Sequence, residues 1–261
     1  MKPLPPSVER RCRFRPELFV PVFAGRARIG WVRPELAARL RAWPSVFKST
    51  AEEVRLIDRD ALAPVIDELA KEGFIPGWRN ERYRIGDLFD VERAAARPFG
   101  FATQAVHVNG IVAGECMWLA RRAANKPTDP GMLDNLIGGG MTSGLSMEEV
   151  LVKEAWEEAG VAAEVARRAT RGGTVELLRE VPEGVQSEII HVYDLELPRD
   201  FTPRNQDGEV AELKLVPLAE VRRLIEETEE LTVDAALVAL DFFSRRSARP
   251  ASAPAGAGRA T

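Results

Sequence analysis

The stretch from Gly138 to Val161 constrains this chain more than any other, because it specifies a helix together with both of its ends. Ser146-Met147-Glu148-Glu149 reads as a capping box: the serine hydroxyl accepts from the Glu149 N–H, and the Glu149 carboxylate reaches back to the cap. Leu145 and Val150 fall at the two positions of a hydrophobic staple. Gly160 sits where the helix needs a left-handed residue to close, and Val161 follows as its apolar contact. At ~100° per residue, Leu151, Val152, Ala155, Trp156 and Ala159 cover one side of this helix.

The remaining side carries charge. Glu154, Glu157 and Glu158 share an arc of roughly 100°, and residues three and four apart on a helix are neighbours. Like charges at that spacing cost ~0.2–0.5 kcal/mol per pair, which Lys153 relieves only in part. A hard divalent cation removes the conflict, and carboxylate oxygens are the ligands magnesium prefers. A solvated acidic face has the same spacing, but the glycines on both sides favour a site. Gly138-Gly139-Gly140 before the helix reads as a tight glycine-rich loop, and Gly160 after it as a sharp exit.

This arrangement resembles the Nudix box. Gly139 stands for the first glycine of the box, Lys153-Glu154 for its central Arg-Glu pair, and Ala155 for the aliphatic residue that follows. Glu157-Glu158 and Gly160-Val161 complete it. Two positions depart: Leu145 stands where most members carry a loop glutamate, and Lys153 where most carry arginine, so the bidentate fork of a guanidinium is lost. The resemblance implies a Nudix α/β/α sandwich of α+β class preceded by a small N-terminal α+β domain. It also implies hydrolysis of a small-molecule diphosphate, with Mg2+ (or Mn2+ in its place) held by Glu154, Glu157 and Glu158.

A narrower resemblance spans nearly the whole chain. Phe19-Val20-Pro21, Gly30-Trp31-Val32-Arg33-Pro34, Trp118 to Lys126, Pro130 to Asn135 and Asp207-Gly208-Glu209-Val210 are similar to the Nudix branch related to thiamine pyrophosphokinase fusions. Plant and fungal members of that branch also lack the loop glutamate. What the likeness implies is hydrolysis of oxidised or otherwise damaged thiamine diphosphates to monophosphates. Hydrolysis of a nucleotide-linked diphosphate (a dinucleotide, ADP-ribose or a nucleotide sugar) and an inactive Nudix-fold binding module are the alternatives.

The other segments set the frame. Strand and helix signals divide the 261 residues into an N-terminal α+β domain over 1–95, the Nudix domain over 96–246 and a disordered tail over 247–261. Pro21 argues that Phe19 to Phe23 is an edge strand, and Asn109-Gly110 reads as the turn of a hairpin between Ala105–Val108 and Glu115–Ala120. Arg121, Arg122 and Lys126 follow that second strand and suit phosphate oxygens. Gly139, Gly140 and Gln186 are further candidates for substrate contact, with Glu188 beside Gln186 at the start of the long strand, and Glu209 is a candidate catalytic or metal-binding acid in a turn. His107 and His191 lie in strands and read as packed or surface residues rather than a catalytic base.

A net charge of −4 gives no electrostatic reason to expect nucleic acid or an anionic membrane as partner. Two distant cysteines, Cys12 and Cys116, make neither a disulfide framework nor a zinc site. With no secretory pattern near the start, a cytoplasmic location is the expectation.

Overall fold

In the computed structural model, which describes residues 3–248, two sheets each carry their own core. After a short helix α1 (Pro6–Arg11), a four-stranded sheet is built from β1 (Val20–Ala24), β2 (Ala27–Val32), β3 (Phe47–Ser49) and β4 (Val54–Leu56), in the order β2-β1-β4-β3. Helices α2 (Pro34–Leu40) and α3 (Leu62–Lys71) bury Leu40 and Leu69 against Val22, Val32, Phe47 and Val54. The strand holding Pro21 is therefore internal, not at an edge. Its pairing with β4 starts only at Val22, so the missing proline N–H costs that ladder nothing.

A hairpin of β5 (Arg82–Ile85) and β6 (Phe89–Glu92) and a short α4 (Ala96–Phe99) lead to the second sheet. Its strands are β7 (Ala102–Val112), β8 (Cys116–Arg122), β9 (Leu133–Asn135), β10 (Ile137–Gly140), β11 (Thr170–Val181), β12 (Gly184–Leu197) and β13 (Val210–Pro217). The order is β11-β12-β7-β8-β13, with β10 on β7 and β9 on β8. One face packs α5 (Met147–Ala159) and α6 (Ala163–Ala166) around Val106, Val108 and Ile137. The other packs α7 (Leu218–Glu227) and α8 (Val233–Ala248) around Ile111, Met117 and Leu119. This is the expected α/β/α sandwich. Helix α1 joins this second core: Val8 is buried in it, and the Ser7 hydroxyl donates to the Ile225 carbonyl at 2.6 Å.

Three local expectations are corrected. Asn109-Gly110 is not a turn. It lies inside β7, because Asn109 is fully buried and hydrogen-bonded to Asn135 and Asp194, and a Cβ on Gly110 would meet Leu136 at 2.3 Å. The turn falls at Ala113-Gly114, both with positive φ. Gly138-Gly139-Gly140 is strand rather than loop, paired with His107, Val106 and Ala105. Strand β11 gave no sequence signal because Gly172-Gly173 interrupt it; a Cβ at Gly173 would sit 2.2 Å from the Asp241 carboxylate of α8. The predicted tail begins two residues too early, since α8 continues through Ala248; residues 249–261 lie outside the described residues. Among the described residues, no helix is long and apolar enough to cross a membrane.

Candidate active site

Helix α5 has the ends its sequence specifies. The Ser146 hydroxyl accepts from the Glu149 N–H at 3.3 Å, and the Glu149 carboxylate accepts from the Ser146 N–H at 2.8 Å. Gly160 closes the helix at φ 63°. Leu145 is half-buried against the cluster that contains Val150, as a staple requires.

The helix lays its carboxylates along β10. Glu154 lies directly over Gly139, where a Cβ would come within 2.2 Å of its Cγ. Glu158 is buried and accepts from the Gly138 N–H at 2.7 Å. Burial pushes its carboxyl well above the usual range, the Gly138 bond pulls it down, and the Glu154 charge adds to the rise. Glu154 is raised by the same burial, partly offset by Lys153. The Lys153 ammonium stands between Glu154 at 3.0 Å and Glu157 at 2.6 Å, and these bonds outweigh its own desolvation and keep it charged. So the helix's own lysine separates two of its three facing glutamates.

On the far side of β10 lies a cleft. A cavity of about 140 Å³ is lined by Arg122, Lys126, Gly138, Gly139, Gly140, Gln186 and Glu209, and adjoins a second of about 250 Å³. Glu158 reaches a narrow recess at its edge that it shares with Arg122, Lys126, Asp134 and Glu209. Burial opposes the Glu209 charge, but its ion pair with Lys126 and the nearby Arg93 and Arg122 outweigh that, holding its carboxyl below the usual range. Arg122 is anchored by Asp134 at 2.9 Å and by the Thr128 carbonyl. The cleft floor holds a carboxylate pair, Glu188 and Asp234, joined through the Gln186 amide at 3.0 and 3.2 Å. Burial and the Glu188 charge raise the Asp234 carboxyl to about 6.

A Nudix domain model matches residues 103–238, just over half of the chain. The chain belongs to the Nudix family. A second family model, a domain of unknown function (DUF4743), matches residues 7–103. Among curated relatives, this Nudix chain is 42% identical to Nudix hydrolase 20, chloroplastic, of Arabidopsis thaliana, over 71% of this chain and 52% of that one. It is 41% identical to Nudix hydrolase 24, chloroplastic, of the same plant, over 71% of this chain and 53% of that one. The chain thus spans about half the length of these relatives. A solved structure, DR0079 from Deinococcus radiodurans, aligns with 65% of this chain and 98% of its own at 19% identity, with a TM-score of 0.48.

Of the residues singled out in the Nudix sequence, the structure brings Arg122, Lys126, Gly139, Gly140, Gln186 and Glu209 to one cleft, with Glu158 at its edge. Arg121 is not among them. Alternation along β8 directs it away, to Glu212 and the Gly131 carbonyl. Glu154 and Glu157 line none of these cavities, and among the described residues no group of three His, Cys, Asp or Glu side chains is arranged around a common point for a metal. His107 and His191 are buried and bonded to Asn135 and Gln104, so of packed and surface positions both take the packed one. Sequence reasoning missed Tyr83, Arg93 and Arg97, which reach the cleft from the N-terminal region. It also missed Asp234, whose place in the first turn of α8 could have been inferred from the Thr232 cap.

Proposed function

We propose that the chain is a magnesium-dependent diphosphatase. The observation that carries this reading is the buried Glu158 carboxylate, held beside Glu154 on a capped helix and opening on a cleft of mixed charge. The donor set suits a hard divalent cation: every candidate donor is a carboxylate oxygen, and the one N–H and the Lys126 charge near Glu158 do not offset its burial. Glu154, Glu157 and Glu158 would hold the metal, in competition with Lys153 for the first two. When bound, magnesium neutralises charge on phosphate oxygens and acidifies water.

The chain's own groups do the rest. Arg122 and Lys126 are placed for non-bridging phosphate oxygens, and Arg122 is already oriented by Asp134 and Thr128. The three glycines of β10 let His107, Glu154 and Tyr83 pack directly on the strand that lines the cleft. Glu209 lines the cleft beside Lys126, and its carboxylate would take the proton of the attacking water.

The finer reading is an oxidised thiamine diphosphate, cut to the monophosphate with release of phosphate. Its support is the likeness over both regions of the chain and a cleft floor, Glu188 and Asp234, able to accept N–H donors from an amino-substituted ring. Five carboxylates line the cavity (Asp129, Asp134, Glu188, Glu209 and Asp234), so desolvation of a cationic ring does not by itself favour the neutral oxidised form. Specificity constants for oxidised and intact thiamine diphosphate, ADP-ribose and a dinucleotide, with and without Mg2+, test the proposal. The oxidised compound is expected to lead. A nucleotide ahead by about tenfold, or ~1.4 kcal/mol, would discard thiamine but keep the diphosphatase. No metal-dependent turnover of any of them would discard both.

A further inference from the structure

The N-terminal region does more than precede the glycine strand. Its hairpin is hydrogen-bonded to the loop between β10 and α5: the Ser143 N–H donates to the Arg82 carbonyl at 2.7 Å, and the Thr142 hydroxyl donates to Glu81 at 2.7 Å. The Tyr83 ring lies against Gly140, where a Cβ would fall 1.9 Å from the phenol oxygen. The buried Glu92 carboxylate accepts from the backbone N–H groups of Arg79 and Ala94, which fixes the segments on both sides of the hairpin. Those segments carry Arg79, Arg93 and Arg97, and all three line both the 140 Å³ and the 250 Å³ cavities.

These cations are not consumed by the fold. Among the described residues, neither Arg79 nor Arg97 has a carboxylate within ion-pair distance, and the Arg97 side chain makes one bond, to the Thr128 hydroxyl at 3.3 Å across the cleft. Arg93 pairs with Glu81 through one nitrogen and lies over the Tyr83 ring, leaving 46% of its side chain exposed. In the larger cavity three guanidinium groups face only Glu183 and Glu188. A guanidinium presents a rigid fork of donors matched to phosphate oxygens.

We infer that Arg79, Arg93 and Arg97 form a phosphate-binding wall, so that the N-terminal region supplies the side of the substrate site opposite the glutamate helix. This rests on the diphosphate reading above, and it gives the region before residue 103 a role in binding. Arg97 is the central contact, because Thr128 and Arg122 fix it and its neighbouring loop from the opposite side of the cleft. Substrates without a phosphate at this position lose the wall's contribution to binding.

Calorimetric titration of the full chain with inorganic pyrophosphate, without divalent metal, tests the wall separately from catalysis. Arg97→Ala and Arg79→Ala are each expected to weaken binding at least tenfold, or ~1.4 kcal/mol. Arg97→Lys should restore part of it, with melting temperatures unchanged. Arg84→Ala, on the same hairpin but lining neither cavity, should bind as the parent does. The inference is overturned if the parent does not bind pyrophosphate, if the Arg79→Ala, Arg97→Ala double variant binds within twofold of it, or if Arg84→Ala weakens binding equally. Lost pyrophosphate binding in a chain that hydrolyses no diphosphate would keep the wall and discard the hydrolase reading. Full hydrolysis with unchanged pyrophosphate binding would do the reverse.

Discussion

Helix α5 and the β5–β6 hairpin approach β10 from different sides, and they treat charge in opposite ways. The helix buries carboxylates, giving them Lys153 and one backbone N–H as partners. The hairpin and its flanks leave Arg79 and part of Arg93 exposed to the cleft. Buried anions cost stability unless a cation compensates them, whereas exposed guanidinium groups cost little and remain available to an anion. Each side is thus set up for what the other half of a metal–diphosphate complex provides. Only glycine, with no side chain, keeps the two within reach across a single strand.

The sharpest way to break the comparison is to remove one carboxylate. Glu157→Gln or Glu158→Gln is expected to cut turnover at least ~10²-fold with the fold intact, since a metal ligand is lost while a like-charge contact is relieved. Steady-state rates and circular dichroism check this, and near-normal rates in both variants would end the metal assignment. Closing the strand is the next largest test. Gly139→Ala drives a methyl into Glu154 and Gly140→Ala drives one into Tyr83, so each is expected to lose ~1–3 kcal/mol in denaturant melts and most of its activity. If both variants are stable and active, the glycines are not what lets the two sides meet.

The cleft floor gives a pH signature. Asp234 is raised to about 6 by burial and by Glu188, so the stability of its protonated form is fully present below the unfolded carboxyl value and is lost as pH rises through about 6. Asp234→Asn should therefore melt close to the parent at pH 4 and above it at pH 8, by of order 2 kcal/mol. An equal difference at both pH values would show that the carboxyl does not titrate there. The smallest effect is at the staple: Leu145→Ala should cost ~1 kcal/mol with turnover retained, and Leu145→Glu should bring no marked gain in rate. A large gain would make the loop acid a missing catalytic part.

The same contrast explains what was legible in the sequence. Helix α5 could be read in full because its caps, staple and exit glycine act over four or five residues. The wall could not, because Arg79, Arg93 and Arg97 are ordinary charged residues until the hairpin docks on Thr142 and Ser143, some sixty residues away. Arg121 and Arg122 illustrate the limit at single-residue scale: adjacent and identical in type, they part at the strand, and only the register of β8 decides which one enters the cleft. Asn109-Gly110 carried a strong local turn signal that tertiary packing on Leu136 and Asn135 overrode.

The central claim is that the glutamate helix and the arginine wall act on one diphosphate. Separate kcat and KM values for Glu157→Gln and Arg97→Ala, on whichever diphosphate the parent cuts fastest with Mg2+, test it most directly. The expected result is that Glu157→Gln lowers kcat with little change in KM, while Arg97→Ala raises KM at least tenfold with kcat nearly unchanged. Unchanged kinetics in Arg97→Ala, or a fall in kcat alone in both variants, would contradict it.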